Sequence, residues 1–312
     1  MNNGYAWDEL LAQSKSVINN KESEGTTAVI YSPSSKTLHQ FINTCFPEGT
    51  NSILDTDLIN YATINWTNNL EQSYCSNVYT LVKNTRGTLD LLKPFLQEHA
   101  SKIHWLILLD WSLNDQKLWL NELSSTFSEI KQLNDNNEFS IWCLNSNEII
   151  NLQRNTTAWQ SVHIDFILQT LRSFCYLNDS SLFYICEDRT EEEDEEIERV
   201  KYPEVLKHFI EGRDMKEYVE MVKRSRISIP KGCDSIGLIK TIDERFEPTV
   251  VGEDLFLARY IDFIPEMDEI TDNKKTCTVT DLDKLYPLDA FRVNIQEELG
   301  KMFTKQKENS KI

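Results

Sequence analysis

The sequence predicts an α/β fold built on a mostly parallel sheet. Three observations carry that expectation. Short apolar runs of strand length alternate with longer segments of helical periodicity. The strongest run, Ile103–Leu109, is apolar almost throughout, as expected of a strand covered on both faces. The run Thr27–Tyr31 feeds through a Ser/Pro turn into an apolar-periodic helix. At 312 residues the chain is long enough for a real core, since chains of about 300 residues bury roughly three quarters of their unfolded surface.

The elements follow in order. Trp7, Leu10, Leu11 and Ile18 share one face of a helix over residues 5–18, and a polar stretch, Asn19–Thr26, follows it. Thr27–Tyr31 is the first strand and Leu38–Phe46 the helix after it. Val78–Val82 is a second strand, and Leu89, Leu92, Phe95 and Leu96 form a helical stripe. Ile103–Leu109 ends at Asp110-Trp-Ser. Trp119, Leu120, Leu123, Phe127 and Ile130 have helical spacing; Phe139–Leu144 is a strand; Phe166, Ile167, Leu171, Phe174 and Cys175 line the next helix; Leu182–Ile185 is a further strand. The acidic run Glu187–Glu198 repels itself and reads as a solvated segment. Pro203 opens a helix expected to reach Arg224, with Val205, Leu206, Phe209, Tyr218, Val219 and Val222 as its apolar side. Ile227-Ser-Ile229-Pro is extended, with Ile236–Ile239 as its expected pairing partner. Leu255–Ile264 is a short helix stopped by Pro265, and Glu266–Cys277 is polar. Leu288, Phe291, Ile295, Leu299, Met302 and Phe303 then recur at steps of three and four, the pattern of an amphipathic helix.

Charge narrows the function classes. The chain has 32 Lys+Arg against 50 Asp+Glu, a formal net charge of −18. Nucleic-acid binding needs clustered cations to neutralise phosphates, so it is not expected. Anionic membrane surfaces should repel the chain, and no window reaches the length of a membrane span. The N-terminal MNNGYAWDEL has neither the basic nor the apolar region of a secretory signal. The seven cysteines form no CxxC and no zinc spacing, so reduced thiols, a cytoplasmic location and no metal are expected.

One motif bears on chemistry. A P-loop needs G-x-x-x-x-G-K-[ST] between a strand and a helix, because its glycines let backbone N–H groups close around phosphates. Ile30-Tyr-Ser-Pro-Ser-Ser-Lys36-Thr37 stands in that context with Lys36 and Thr37 in place. The glycine positions are Ile30 and Ser35, and Pro33 has no N–H to donate. No Asp follows the Val78–Leu81 strand to position Mg²⁺; Val82-Lys83-Asn84 stands there. Leu144-Asn-Ser-Asn147 lacks the Lys and Asp that read a guanine. With three elements broken together, no nucleotide cofactor and no catalysis are expected. No G-x-S-x-G elbow or H-E-x-x-H occurs, and the five His are dispersed.

A colinear series of segments resembles the cytoplasmic dynein light intermediate chains. Tyr5-Ala-Trp-Asp-Glu-Leu-Leu11 precedes the P-loop-like turn. Cys75-Ser-Asn-Val-Tyr-Thr-Leu81 and Leu108-Leu-Asp-Trp-Ser112 follow it. His163-Ile-Asp-Phe-Ile-Leu-Gln-Thr-Leu-Arg-Ser-Phe-Cys175 is similar to the family's H-x-D-F-I-x-x-x-[IL]-R-x-F-C. Ile227-Ser-Ile-Pro-Lys-Gly-Cys-Asp234 is similar to its F-I-P-x-G-W-D, and Glu253-Asp-Leu-Phe-Leu257 to the helix after that. The series spans roughly residues 5–264. The eroded nucleotide motifs and the short C-terminal extension suggest a fungal member.

The resemblance implies a Ras-like domain with degenerate nucleotide motifs, used as a non-catalytic scaffold. The expected organisation is an N-terminal helix and linker (1–26), the Ras-like domain (27–225), an extension packing on the domain or the heavy chain (226–265), and an acidic linker with a C-terminal amphipathic helix (266–312). The implied partner is the dynein heavy-chain tail, with Trp7, Leu10, Leu11, Ile227, Ile229, Phe256 and Leu257 as candidate contacts. A cargo adaptor is implied for the helix bearing Leu288, Phe291, Ile295, Leu299, Met302 and Phe303. Microtubules and spindle poles would be reached through the motor, in nuclear migration and spindle positioning, because the −18 charge disfavours direct contact with acidic microtubules. Two other readings stay open: a GTP-binding switch, and an acidic interaction module centred on Glu191–Glu196.

Overall fold

The computed structural model describes residues 26–46, 59–67, 73–83, 89, 92–96, 102–133, 136–155, 158–186 and 202–265. By its contacts the chain divides into Met1–Glu266 and Met267–Ile312, and every described residue lies in the first unit. The helix expected over 5–18, the acidic run 187–198 and everything expected beyond Pro265 lie outside the described residues.

The strands are β1 (Thr26–Ser32), β2 (Ile59–Thr67), β3 (Ser73–Val82), β4 (Ile103–Asp110), β5 (Asn137–Leu144), β6 (Ser181–Tyr184) and β7 (Ser228–Ile229). They form one sheet in the order β2-β3-β1-β4-β5-β6-β7. The five central strands are parallel, and β2 and β7 close the two edges antiparallel. The helices are α1 (Ser35–Cys45), α2 (Lys93–Leu96), α3 (Trp119–Leu133), α4 (Glu148–Asn155), α5 (Ser161–Leu177), α6 (Tyr202–Glu211), α7 (Ile236–Lys240) and α8 (Asp254–Phe263).

Burial explains why these segments are strands and helices. All eight residues of β4 are buried, as its almost wholly apolar run requires. α1 buries Thr37, Leu38, Phe41, Ile42 and Cys45, a stripe of helical period. That stripe meets Ala28, Ile30, Leu106, Leu108 and Trp142 of the sheet, together with Val205, Leu206 and Phe209 of α6. Elsewhere Phe127 of α3 stacks on Phe139 of β5 at 4.4 Å and meets Phe174 of α5 edge-on at 4.9 Å.

Four expectations change. β2 is an element the apolar pattern did not single out, and its pairing carries β3 back from Val78 to Ser73. α4 is likewise additional. The helix opened by Pro203 stops at Glu211 rather than Arg224. Gly212 takes φ +64°, and the Arg213 amide bonds back to the His208 carbonyl at 2.9 Å, a left-handed cap that reverses the chain. Val219 and Val222 therefore belong to no helix face, and Val222 is 87% exposed. Ile236–Ile239 does not pair with β7; it forms α7, whose start is capped by the Ser235 hydroxyl accepting from the Leu238 amide. β7 pairs instead with β6, and Ser228 also bridges to Glu220.

Residues 226–265 pack on the domain. Phe166 of α5 lies 4.7 Å from Phe263, 5.7 Å from Phe256 and 6.0 Å from Tyr260 of α8, and 5.7 Å from Phe246. Arg172 of α5 grips Asp234, just after β7, with two parallel hydrogen bonds of 2.8 and 2.7 Å. Both side chains are nearly inaccessible to solvent, at 3% and 7%. Asp234 sits in the Ile227–Asp234 segment and Arg172 in the His163–Cys175 segment, so two pieces of the series noted in the sequence lock onto each other.

Candidate functional site

In an open parallel sheet, ligands bind beyond the carboxyl ends of the strands where the strand order reverses. Here the order turns about β1, which lies between β3 and β4. Ser32, Lys83, Asp110 and Asn145 stand at or just beyond the carboxyl ends of β1, β3, β4 and β5.

The turn from β1 to α1 is only Pro33-Ser34. Ile30 lies two residues inside β1, wholly buried in the core, so it turns no loop. Ser35 is the first residue of α1. Ser34 caps the helix: its hydroxyl oxygen accepts from the Thr37 amide at 3.1 Å. That amide is one of the N–H groups that a phosphate at a helix start would use. Lys36 is exposed to solvent.

The Thr37 hydroxyl is held from two sides. It lies 2.8 Å from the Ser34 hydroxyl and donates to Asp110 Oδ2 at 2.7 Å. Asp110, 2% exposed, gathers three further donors on Oδ1: the Ser112 amide at 2.8 Å, the Ser112 hydroxyl at 2.7 Å and Asn145 Nδ2 at 2.8 Å. The second hydrogen of that Asn145 amide goes to Gln40 Oε1 at 3.0 Å, and Gln40 Nε2 returns a bond to Asn145 Oδ1. Asn145 holds this position in a left-handed conformation, φ +54°.

At the end of β3, where a carboxylate would place Mg²⁺, the Lys83 amide bonds to the Ser32 carbonyl at 2.8 Å and its ammonium pairs with Glu122. Asp115 lies nearby on the crevice that Tyr31, Lys83 and Glu122 also line. Burial pushes its carboxyl up to about 6, against the hydrogen bond from Trp119 Nε1. Burial also pushes the Tyr31 hydroxyl up to about 12.

These residues do not fit the guanine nucleotide and Mg²⁺ that a Ras-like sheet implies. The cap amide, the Thr37 hydroxyl and the Asn145 amide are engaged within the protein. The Mg²⁺ carboxylate is replaced by a lysine, and Pro33 cannot donate.

Comparison with known proteins gives the family. A family model described as dynein light intermediate chain matches residues 134–283. A Saccharomyces cerevisiae protein named cytoplasmic dynein intermediate light chain DYN3 is 73% identical over 312 residues, covering 100% of both chains. The chain belongs to the dynein light intermediate chain family. A Candida glabrata protein of the same name is 30% identical over 298 residues, covering 90% of each chain, so the fungal character expected from the sequence holds. A crystal structure of a dynein light intermediate chain's conserved domain shares the fold, with a TM-score of 0.55 at 16% identity over 84% of this chain and 98% of that one.

In this light intermediate chain the expected site residues fall into three groups. Ile30, Ser35, Lys36 and Thr37 are placed as described, with only Thr37 in the polar network. Ile227, Ile229 and Phe256 are buried within the domain, so their apolar surface faces no solvent; Leu257 is partly exposed. Trp7, Leu10, Leu11, Leu288, Phe291, Ile295, Leu299, Met302 and Phe303 lie outside the described residues. The sequence reading passed over Asp110, Gln40 and Asn145 as partners. The available signal was a lone carboxylate closing a strand that is apolar but for His104.

Proposed function

We propose that this chain is a non-catalytic accessory subunit of cytoplasmic dynein that binds the heavy-chain tail. The full-length likeness to a protein named as a dynein intermediate light chain carries this reading. The engaged hydrogen-bond network at the sheet's carboxyl edge supports its non-catalytic half, since the groups a nucleotide would need serve the fold instead. Heavy-chain contact falls to Trp7, Leu10, Leu11 and Leu257, while Ile227, Ile229 and Phe256 act by holding the domain together. A permanent interface of this kind buries about 2,000 Å² or more. A cargo adaptor would dock on the amphipathic segment Leu288–Phe303, which lies outside the described residues.

The subunit works in the cytoplasm and reaches microtubules and spindle poles through the motor, in nuclear migration and spindle positioning. The −18 charge supports a route to the filament through the partner rather than directly. No helix among the described residues is long and apolar enough to cross a membrane. Purification of the tagged full chain from its own cells, read by mass spectrometry, is expected to recover dynein heavy chain near stoichiometrically. Recovery without heavy chain removes this reading.

A further inference from the structure

We infer that Asp110 is an internal anionic ligand: its carboxylate occupies an oxyanion receptor built from three separate connections at the sheet's carboxyl edge. Thr37 comes from the start of α1, Ser112 from the turn after β4 and Asn145 from the turn after β5. They deliver four donors, at 2.7, 2.8, 2.7 and 2.8 Å, to one side chain. A carboxylate accepts and never donates, so four convergent donors, three on Oδ1 and one on Oδ2, match it in polarity. Among the described residues no Lys or Arg pairs with Asp110. Its buried charge is met by hydrogen bonds alone, as a bound anion's is in a cluster of N–H and O–H groups.

The donors are themselves arranged to donate. The Ser34 hydroxyl accepts from the Thr37 amide and can donate to the Thr37 oxygen, which leaves the Thr37 O–H to donate to Asp110. Gln40 accepts one Asn145 amide hydrogen and bonds to the Asn145 oxygen, which directs the other hydrogen at Asp110. The receptor is thus oriented from behind, and it sits at the strand-order reversal where open α/β sheets take ligands. Asp110 ties α1, β4 and β5 together from within the chain, a task that a diffusible ligand performs only while bound. The inference rests on the closed site and does not depend on assembly with dynein.

The test uses the full chain with Asp110→Ala. Hydrogen bonds to charged groups weigh more than neutral ones, and the midpoint of thermal unfolding is expected to fall by roughly 5–10 °C. Sodium formate should restore much of that loss saturably, relative to sodium chloride at equal ionic strength, and leave the wild type unmoved. If Asp110→Ala is recovered unfolded, formate-dependent refolding is the same readout. Asp110→Asn keeps the shape and an oxygen for the three donors on Oδ1, but it removes the charge and sets an NH₂ against the Thr37 hydroxyl; it should melt below the wild type, lose less than Asp110→Ala and gain nothing from formate. Formate acting no better than chloride on Asp110→Ala, or Asp110→Asn melting with the wild type, would overturn the inference. Neither result resembles the stabilisation by Mg-GTP that would break the closed-site reading, so the two failures are distinguishable.

Discussion

Replacing Arg172 with Met is expected to destabilise the domain by about 3–5 kcal/mol, because it leaves Asp234 buried without its partner. Methionine keeps most of the apolar stem, so the loss isolates the paired charges. Urea unfolding monitored by tryptophan fluorescence reads the effect as a lower midpoint with an unchanged slope. Hydrogen exchange should quicken first in β7 and α7, which flank Asp234 in sequence. The double substitution Arg172→Met with Asp234→Leu should recover most of the loss, since a buried ion pair is close to neutral against an apolar pair of similar volume. Additive losses would show that the two side chains stabilise separate features.

Phe166→Ala is expected to cost about 3 kcal/mol or more, as truncating a buried phenylalanine does where surrounding rings cannot collapse into the space. The ring is the common neighbour of Phe246, Phe256, Tyr260 and Phe263, so it joins α8 and the turn before it to α5. The Arg259 guanidinium also lies 5.9 Å from the ring centre. Limited proteolysis of the variant should cut between residues 241 and 265 under conditions where the wild type resists. Leu255→Ala, at a position 83% exposed on the same helix, should stay within about 0.5 kcal/mol of the wild type.

Both sites bear on residues 226–265, which the sequence leaves to pack on the domain or on the heavy chain. Read alone, Ile227, Ile229, Phe256 and Leu257 look like apolar residues with no core of their own. Ile227, Ile229 and Phe256 are buried in the domain, Phe256 against Phe166, and Arg172 of the same helix holds Asp234. Such pairings join residues 62 apart and more, and local periodicity carries no record of them.

Where local physics decides, the sequence was readable. β1, β4 and β5 are covered on both faces, so their apolar runs stand out. β2 was not, although Ala62, Ile64 and Trp66 alternate inward against Tyr61, Thr63 and Asn65. Its buried face begins with a small alanine, and asparagines dilute the contrast. α7 was misread because Ile236, Gly237, Leu238 and Ile239 resemble a strand to any scale of apolarity; the deciding residue is the cap, Ser235. Gly212 was the overlooked stop signal in α6.

The site divides in the same way. The missing glycines at Ile30 and Ser35 are local facts, but those residues lie in β1 and at the start of α1, and the turn between them is only Pro33-Ser34. What replaced phosphate-binding geometry was not legible. Asp110 meets Thr37 across 73 positions and Asn145 across 35, and only the sheet's strand order brings the three connections to one point.

This light intermediate chain keeps the Ras-like fold while the groups that would hold a nucleotide serve the fold. Thermal unfolding of the purified full chain with and without millimolar Mg-GTP or Mg-GDP tests this most directly. The midpoint is expected to stay where it is. A saturable rise, about 2.7 kcal/mol of added stability at one hundred times the dissociation constant, would contradict the claim.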